Sequence, residues 1–83
     1  MQRRDEGQPL RDAMASAGLS IPALAERTKA VDPTGYGVAK STIGNLHATG
    51  KSAREGCLDR AGELIALALN QPVDELFKPD PSP

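Results

Sequence analysis

Three places in this 83-residue chain carry side chains that could do chemistry. Gly35-Tyr36-Gly37-Val38-Ala39-Lys40-Ser41-Thr42 imitates a phosphate-binding loop, in which backbone N–H groups cradle phosphates while a lysine and a hydroxyl reach the nucleotide and its magnesium. The motif needs glycine directly before the lysine and a strand leading in; Ala39 stands there instead, and no strand-like alternation precedes it, so the match fails. His47 has no second acid, base or nucleophile nearby in sequence, and a packed or surface histidine is its simpler use. Cys57 falls on the apolar side of a helical stripe and reads as a small core residue. One Cys and one His cannot furnish the usual four ligands of a structural zinc site, and one Cys forms no internal disulfide. No catalytic set, metal site or cofactor is therefore expected, and an enzyme is disfavoured.

Beyond these three places, a short helical segment runs from Ala39 to about Thr49, polar on one side and rich in Lys, Ser, Thr and Asn. An α-helix fits the major groove of B-DNA, and short polar side chains in its first turn can reach base edges while the positive end of its dipole tolerates phosphates. A solvated polar face is the plainer alternative.

Charge along the chain bears on that choice. The total is −1, but residues 1–20 are balanced, residues 21–54 carry +3 and residues 55–83 carry −4. A basic centre beside an acidic tail lets one face meet a polyanion while the whole stays soluble. The longest apolar run, Leu64 to Leu69, is far short of the roughly 20 residues that span a bilayer. Residues 1–8 are polar and lack a signal peptide's apolar segment, so a cytoplasmic location is expected.

The elements that must position these residues follow from periodicity. Pro9 opens a first helix through Leu10, Met14 and Ala17, and Gly18 stops it. Ser20 caps a second helix to about Ala30, with Ile21, Leu24, Ala25 and Thr28 as its stripe. Asp32, Pro33, Gly35 and Gly37 make residues 31–37 a loop, with Tyr36 at its tip or tucked beneath it. After the Ala39 to Thr49 helix, Ser52-Ala53-Arg54-Glu55 matches a capping box and is expected to start a fourth helix. Cys57, Leu58, Ala61, Leu64, Ile65, Ala68 and Leu69 then form the strongest stripe in the chain. Val73 to Phe77 closes the core. With no period-2 strand, the expectation is an all-α domain over residues 9–77, between a flexible arm (1–8) and a disordered, proline-rich tail (78–83).

Leu10 to Phe77 resembles the Cro and phage-repressor helix-turn-helix family, often called XRE-like. Leu24-Ala25-Glu26 is similar to the family's second-helix signature. Gly37 to Ile43 is similar to its turn and recognition helix, and Gly50-Lys51 to its Gly-plus-basic pair. Leu64 to Leu69 and Val73 to Phe77 resemble its last two helices. The resemblance implies a compact five-helix, lambda-repressor-like domain that regulates transcription by occupying operator DNA. It implies that Lys40, Ser41, Gly44 and Asn45 face base edges; Gly44 has no side chain, so readout rests on the other three. It implies phosphate contacts from Thr42, Lys51, Ser52 and Arg54, with Thr28 and Lys29 close enough to help.

Three departures from the family pattern stand out. The loop at 32–36 is longer, Met14 and His47 occupy the positions of a buried Arg–Glu pair, and Ile21 stands where a phosphate-touching Gln is usual. Three base-reading side chains discriminate little, so a homodimer on two half-sites about one helical turn apart is expected, with Leu76 and Phe77 as apolar contact candidates. The alternative is an antitoxin-type or adaptor module on the same fold, favoured by the acidic C-terminal third.

Overall fold

The structure is a computed structural model that describes residues 1–50 and 53–79. Within those residues the chain is mostly helical: α1 (Gln8–Ala17), α2 (Ile21–Val31), α3 (Lys40–His47), α4 (Asp59–Leu69) and α5 (Val73–Leu76). A short antiparallel pair joins β1 (Gln2–Arg3) to β2 (Phe77–Lys78), in the register Gln2 to Lys78 and Arg3 to Phe77.

Local chemistry sets most of these boundaries. Pro9 lies in the first turn of α1, where its missing N–H is an orphan in any case. Ser20 caps α2, its Oγ accepting from Ala23 N–H at 3.3 Å. Asn70 ends α4 in the left-handed conformation at φ 56, and Pro72 sets the entry to α5. On α4, Ala61, Leu64, Ile65, Ala68 and Leu69 are buried at three- and four-residue steps, and this face packs most extensively on α2. Leu10 and Met14 of α1, Leu24 of α2, Ile43 and Leu46 of α3, and Leu76 and Phe77 complete one core. No helix among the described residues is long and apolar enough to cross a membrane.

Five expectations need correction. The fourth helix does not start at a capping box: it begins at Asp59, Leu58 before it is 79% exposed, and Cys57 is half-buried. Residues 55–57 instead run extended beside β1, with Arg3 N–H donating to Glu55 O, Cys57 N–H to Met1 O, and Gln2 bridging Gly56. The physical reason is competition. Gly56 weakens a helix there, and the neighbouring strand offers the backbone partners a helix would have supplied. Residues 1–8, expected as a free arm, are built into the fold through β1, a 3-10 turn at Asp5–Gly7 and the start of α1.

The third helix is also shorter than its periodicity suggested. Ala39 is an exposed N-cap rather than a helical residue, and Ala48 ends α3 before Gly50 is reached. Finally, Lys78 belongs to β2, not to a tail, whereas residues 80–83 lie outside the described residues. Leu76 and Phe77 are each only 2% exposed, so they fill the core and offer nothing to a second copy.

Candidate nucleic-acid interface

Because Ile43 and Leu46 are buried on one side of α3, helical geometry turns Lys40, Ser41, Gly44 and Asn45 to the other. Lys40 and Ser41 are exposed; Gly44 and Asn45 are partly so. A Cβ added at Gly44 would meet no heavy atom within 4 Å, so open space lies in front of the helix at that point. The four residues read as base-facing thus share one solvent-accessible face. The Asn45 carbonyl accepts from Arg54 N–H at 2.9 Å.

The loop before α3 is built around two buried acceptors. Thr28, on the inner face of α2, donates through Oγ1 to Ala25 O at 2.6 Å and accepts from Val38 N–H at 2.9 Å. It is fully buried, so the expectation that Thr28 helps bind phosphate is wrong: a hydroxyl with both partners inside the protein cannot reach DNA. Asp32 follows at the end of α2, almost fully buried. Its Oδ1 accepts from Thr34 N–H and Thr34 Oγ1, both at 2.9 Å; its Oδ2 accepts from Gly37 N–H at 2.8 Å and from the Arg60 guanidinium. Arg60 also donates to Gly37 O at 3.1 Å, which fastens the loop to α4. The donated hydrogen bonds, led by that of the Thr34 backbone, outweigh burial and hold the Asp32 carboxyl below its ordinary range.

Two arginines hold the other end of α3. The Arg3 side chain is 3% exposed and donates to Leu46 O at 2.8 Å, to Ala48 O at 2.6 Å and to the Glu55 carboxylate at 2.7 Å. Arg11 of α1 adds a bond to His47 O at 2.9 Å. Three consecutive carbonyls at the end of the helix, those of Leu46, His47 and Ala48, are thereby satisfied. The Arg3 hydrogen bond also lowers the Glu55 carboxyl, with the charge of Lys78 adding a little. Met14 of α1 lies in the core, and the ion pair at this end of α3 joins Arg3 to Glu55.

Two surface clefts flank the start of α3 and share Gly37, Val38 and Ala39 as a common wall. One also has Thr42, Arg54 and Arg60 on its lining; the other has Lys29, Tyr36 and Lys40. Thr42 and Arg54, expected as phosphate contacts, are thus brought together. Lys29 is exposed on the opposite cleft, with its Nζ 3.3 Å from Glu26 Oε1 on the same helix. Lys51 and Ser52, the other two expected contacts, lie outside the described residues.

Sequence reasoning missed Arg3, Arg11 and Arg60, whose roles depend on long-range partners. It undervalued Asp32, although an Asp followed two residues on by Thr is a local turn signature that could have flagged it. Among the described residues no group of three His, Cys, Asp or Glu side chains comes together. Comparison of the chain with protein-family models, with curated proteins and with solved structures finds no match.

Proposed function

We propose that the chain is a sequence-specific DNA-binding regulator of the Cro and phage-repressor type, with α2, the 32–39 loop and α3 acting as a lengthened helix-turn-helix. The observation that carries this reading is the state of α3: its apolar side is buried, both its ends are fixed, and its free face lies beside clefts lined by Lys29 and Arg54. A helix that reads base edges must be held rigidly, because phosphate contacts fix its register and only then do a few side chains discriminate.

In this reading Lys40, Ser41 and Asn45 read bases in the major groove, and Gly44 allows close approach. Thr42 and Arg54 contact one stretch of backbone, and Lys29 another. The working form is a homodimer on two half-sites inside a bacterial or phage-infected cell, joined through surfaces other than Leu76 and Phe77. The protein acts by occupancy and needs no cofactor.

The test separates readout from positioning. Lys40→Ala should relax preference at one base pair by about 1 to 3 kcal/mol, whereas Arg54→Ala should weaken operator and scrambled duplexes alike and lower the salt slope by about one. Operators come from selection on a random duplex pool, and both variants are titrated at several salt concentrations. An unchanged operator-to-scrambled ratio in Lys40→Ala would remove α3 as the reading element.

The adaptor reading is favoured by Leu58 and Leu67, 79% and 59% exposed at the start and on the outer side of the acidic α4. It requires weak DNA binding at every salt concentration, which the same titration of the parent protein would reveal.

A further inference from the structure

The chain has one Tyr, one Phe and no Trp, and it uses them in opposite ways. Phe77 fills the core at 2% exposure, whereas Tyr36 stands 81% exposed at the tip of the loop before α3. The position of that ring is not left to chance. Asp32 binds the backbone on both sides of it, at Thr34 and at Gly37, and Val38 two residues on is buried and hydrogen-bonded to Thr28. The ring therefore belongs to an ordered backbone and lines one cleft with Lys29 and Lys40.

We propose that Tyr36 is a DNA-backbone contact, its phenol hydroxyl donating a hydrogen bond to a phosphate oxygen on the flank of α3 that carries Lys29 and Lys40. The inference rests on the DNA-binding reading above and gives the lengthened loop a task within it. Phosphate oxygens accept from tyrosine as well as from cationic side chains, and such contacts set register rather than sequence preference. A ring held by a pre-ordered loop loses little further backbone entropy on binding. Tyrosine also differs from lysine in a measurable way. A lysine on a phosphate releases a condensed counterion, whereas a phenol brings no cation and releases none.

The experiment uses the full chain and measures affinity against salt for the parent, Tyr36→Phe, Tyr36→Ala and Lys29→Ala, on a selected operator and on a scrambled duplex. Tyr36→Phe should lose roughly three- to tenfold on both duplexes with the salt slope unchanged, as expected for one lost neutral-donor hydrogen bond. Lys29→Ala should lower the slope by about one. Thermal melting of each variant confirms that the fold is intact, since Tyr36 contributes little to the core. Full affinity in Tyr36→Phe overturns the proposal. Where Tyr36→Ala alone is weakened, the ring stacks or packs instead of donating, and the hydrogen-bond assignment falls. A changed slope in Tyr36→Phe would equally sink it. If the parent itself binds no duplex in a salt-dependent way, the DNA-binding reading fails as a whole, an outcome distinct from a parent that binds and a Tyr36→Phe variant that binds equally well.

Discussion

The two ends of α3 are held by opposite chemistry, and the choice at each end follows from the backbone groups that need partners. The chain entering α3 presents N–H groups at Thr34, Gly37 and Val38, and it meets acceptors, the Asp32 carboxylate and the Thr28 hydroxyl. The end leaving α3 presents carbonyls at Leu46, His47 and Ala48, and it meets guanidinium donors from Arg3 and Arg11. The ends also differ in reach. Thr28 lies only 10 residues from Val38, whereas Arg3 lies 43 residues from Leu46 and Arg11 lies 36 from His47. The entry is held mostly from within its own helix-loop-helix unit, with Arg60 of α4 as the one outside fastener named above; the exit depends on the N-terminal strap folding back over the domain. Loosening the strap should therefore free the C-terminal turn of α3 while leaving the loop ordered.

The strongest way to break this comparison is to add one methyl group at each end. Gly37 has φ 65, and a Cβ there would lie 2.8 Å from Lys29 N and 2.9 Å from Thr28 Oγ1. Gly7 has φ 85, and a Cβ there would lie 2.7 Å from Leu46 O and 2.8 Å from Arg3 Nη1. Left-handed strain and overpacking add, so Gly37→Ala and Gly7→Ala should each destabilise by about 3 kcal/mol in denaturant titrations. Amide exchange should accelerate first at Val38 in one variant and in the last turn of α3 in the other. A silent Gly7→Ala would show that the strap does not hold the exit.

A smaller effect separates the ends by pH and salt. Asp32 and Glu55 both have folded pKa values lowered from the ordinary range. Each therefore contributes stability that is present above the ordinary carboxylate range and is lost as pH falls through its lowered value, because the unfolded chain takes up protons first. Thermal melts from about pH 7 down to about pH 2 should show an acid limb that Asp32→Asn and Glu55→Gln each flatten. Asp32 is buried while the Glu55 side chain is 60% exposed, so high salt should shrink the Glu55 share and spare that of Asp32. Equal salt sensitivity in the two variants would contradict the contrast drawn between the ends.

The smallest effect has the opposite sign. Gly44 sits between the two anchored ends with open space where its Cβ would be, so Gly44→Ala should raise stability by about 0.5 to 1 kcal/mol through helix propensity alone. A loss of stability, read as a lower denaturant midpoint, would mean that the free face of α3 is more crowded than its contacts indicate.

Much of the architecture was legible in the residues themselves. Apolar spacing gave α1, α2 and α5 to within about a residue or two, and Ala61 to Leu69 marked the core face of α4. That α3 keeps a polar side was legible too, because a helix that buries Ile43 and Leu46 must turn its other side outward. These are consequences of helical period, which neighbouring residues impose on one another. The fate of residues 53–58 shows where local signals fail. Ser52 to Glu55 has the pattern of a capping box, yet Glu55 pairs with Arg3, 52 residues away, and its carbonyl accepts from the strap.

What the sequence determined by itself, then, was the number of helices, most of the stripe each one buries and the polar face left on α3. What only the tertiary structure decided was the use of single polar side chains: Thr28 as an internal acceptor rather than a phosphate ligand, Arg3 as the clamp on α3, Arg60 as the fastener of the loop, and Tyr36 as an exposed ring. The physical reason is that apolar burial is set by periodic position along the chain. A buried hydrogen-bonding group has no period; its role is fixed by whichever unpaired N–H or carbonyl the packing brings within about 3 Å of it.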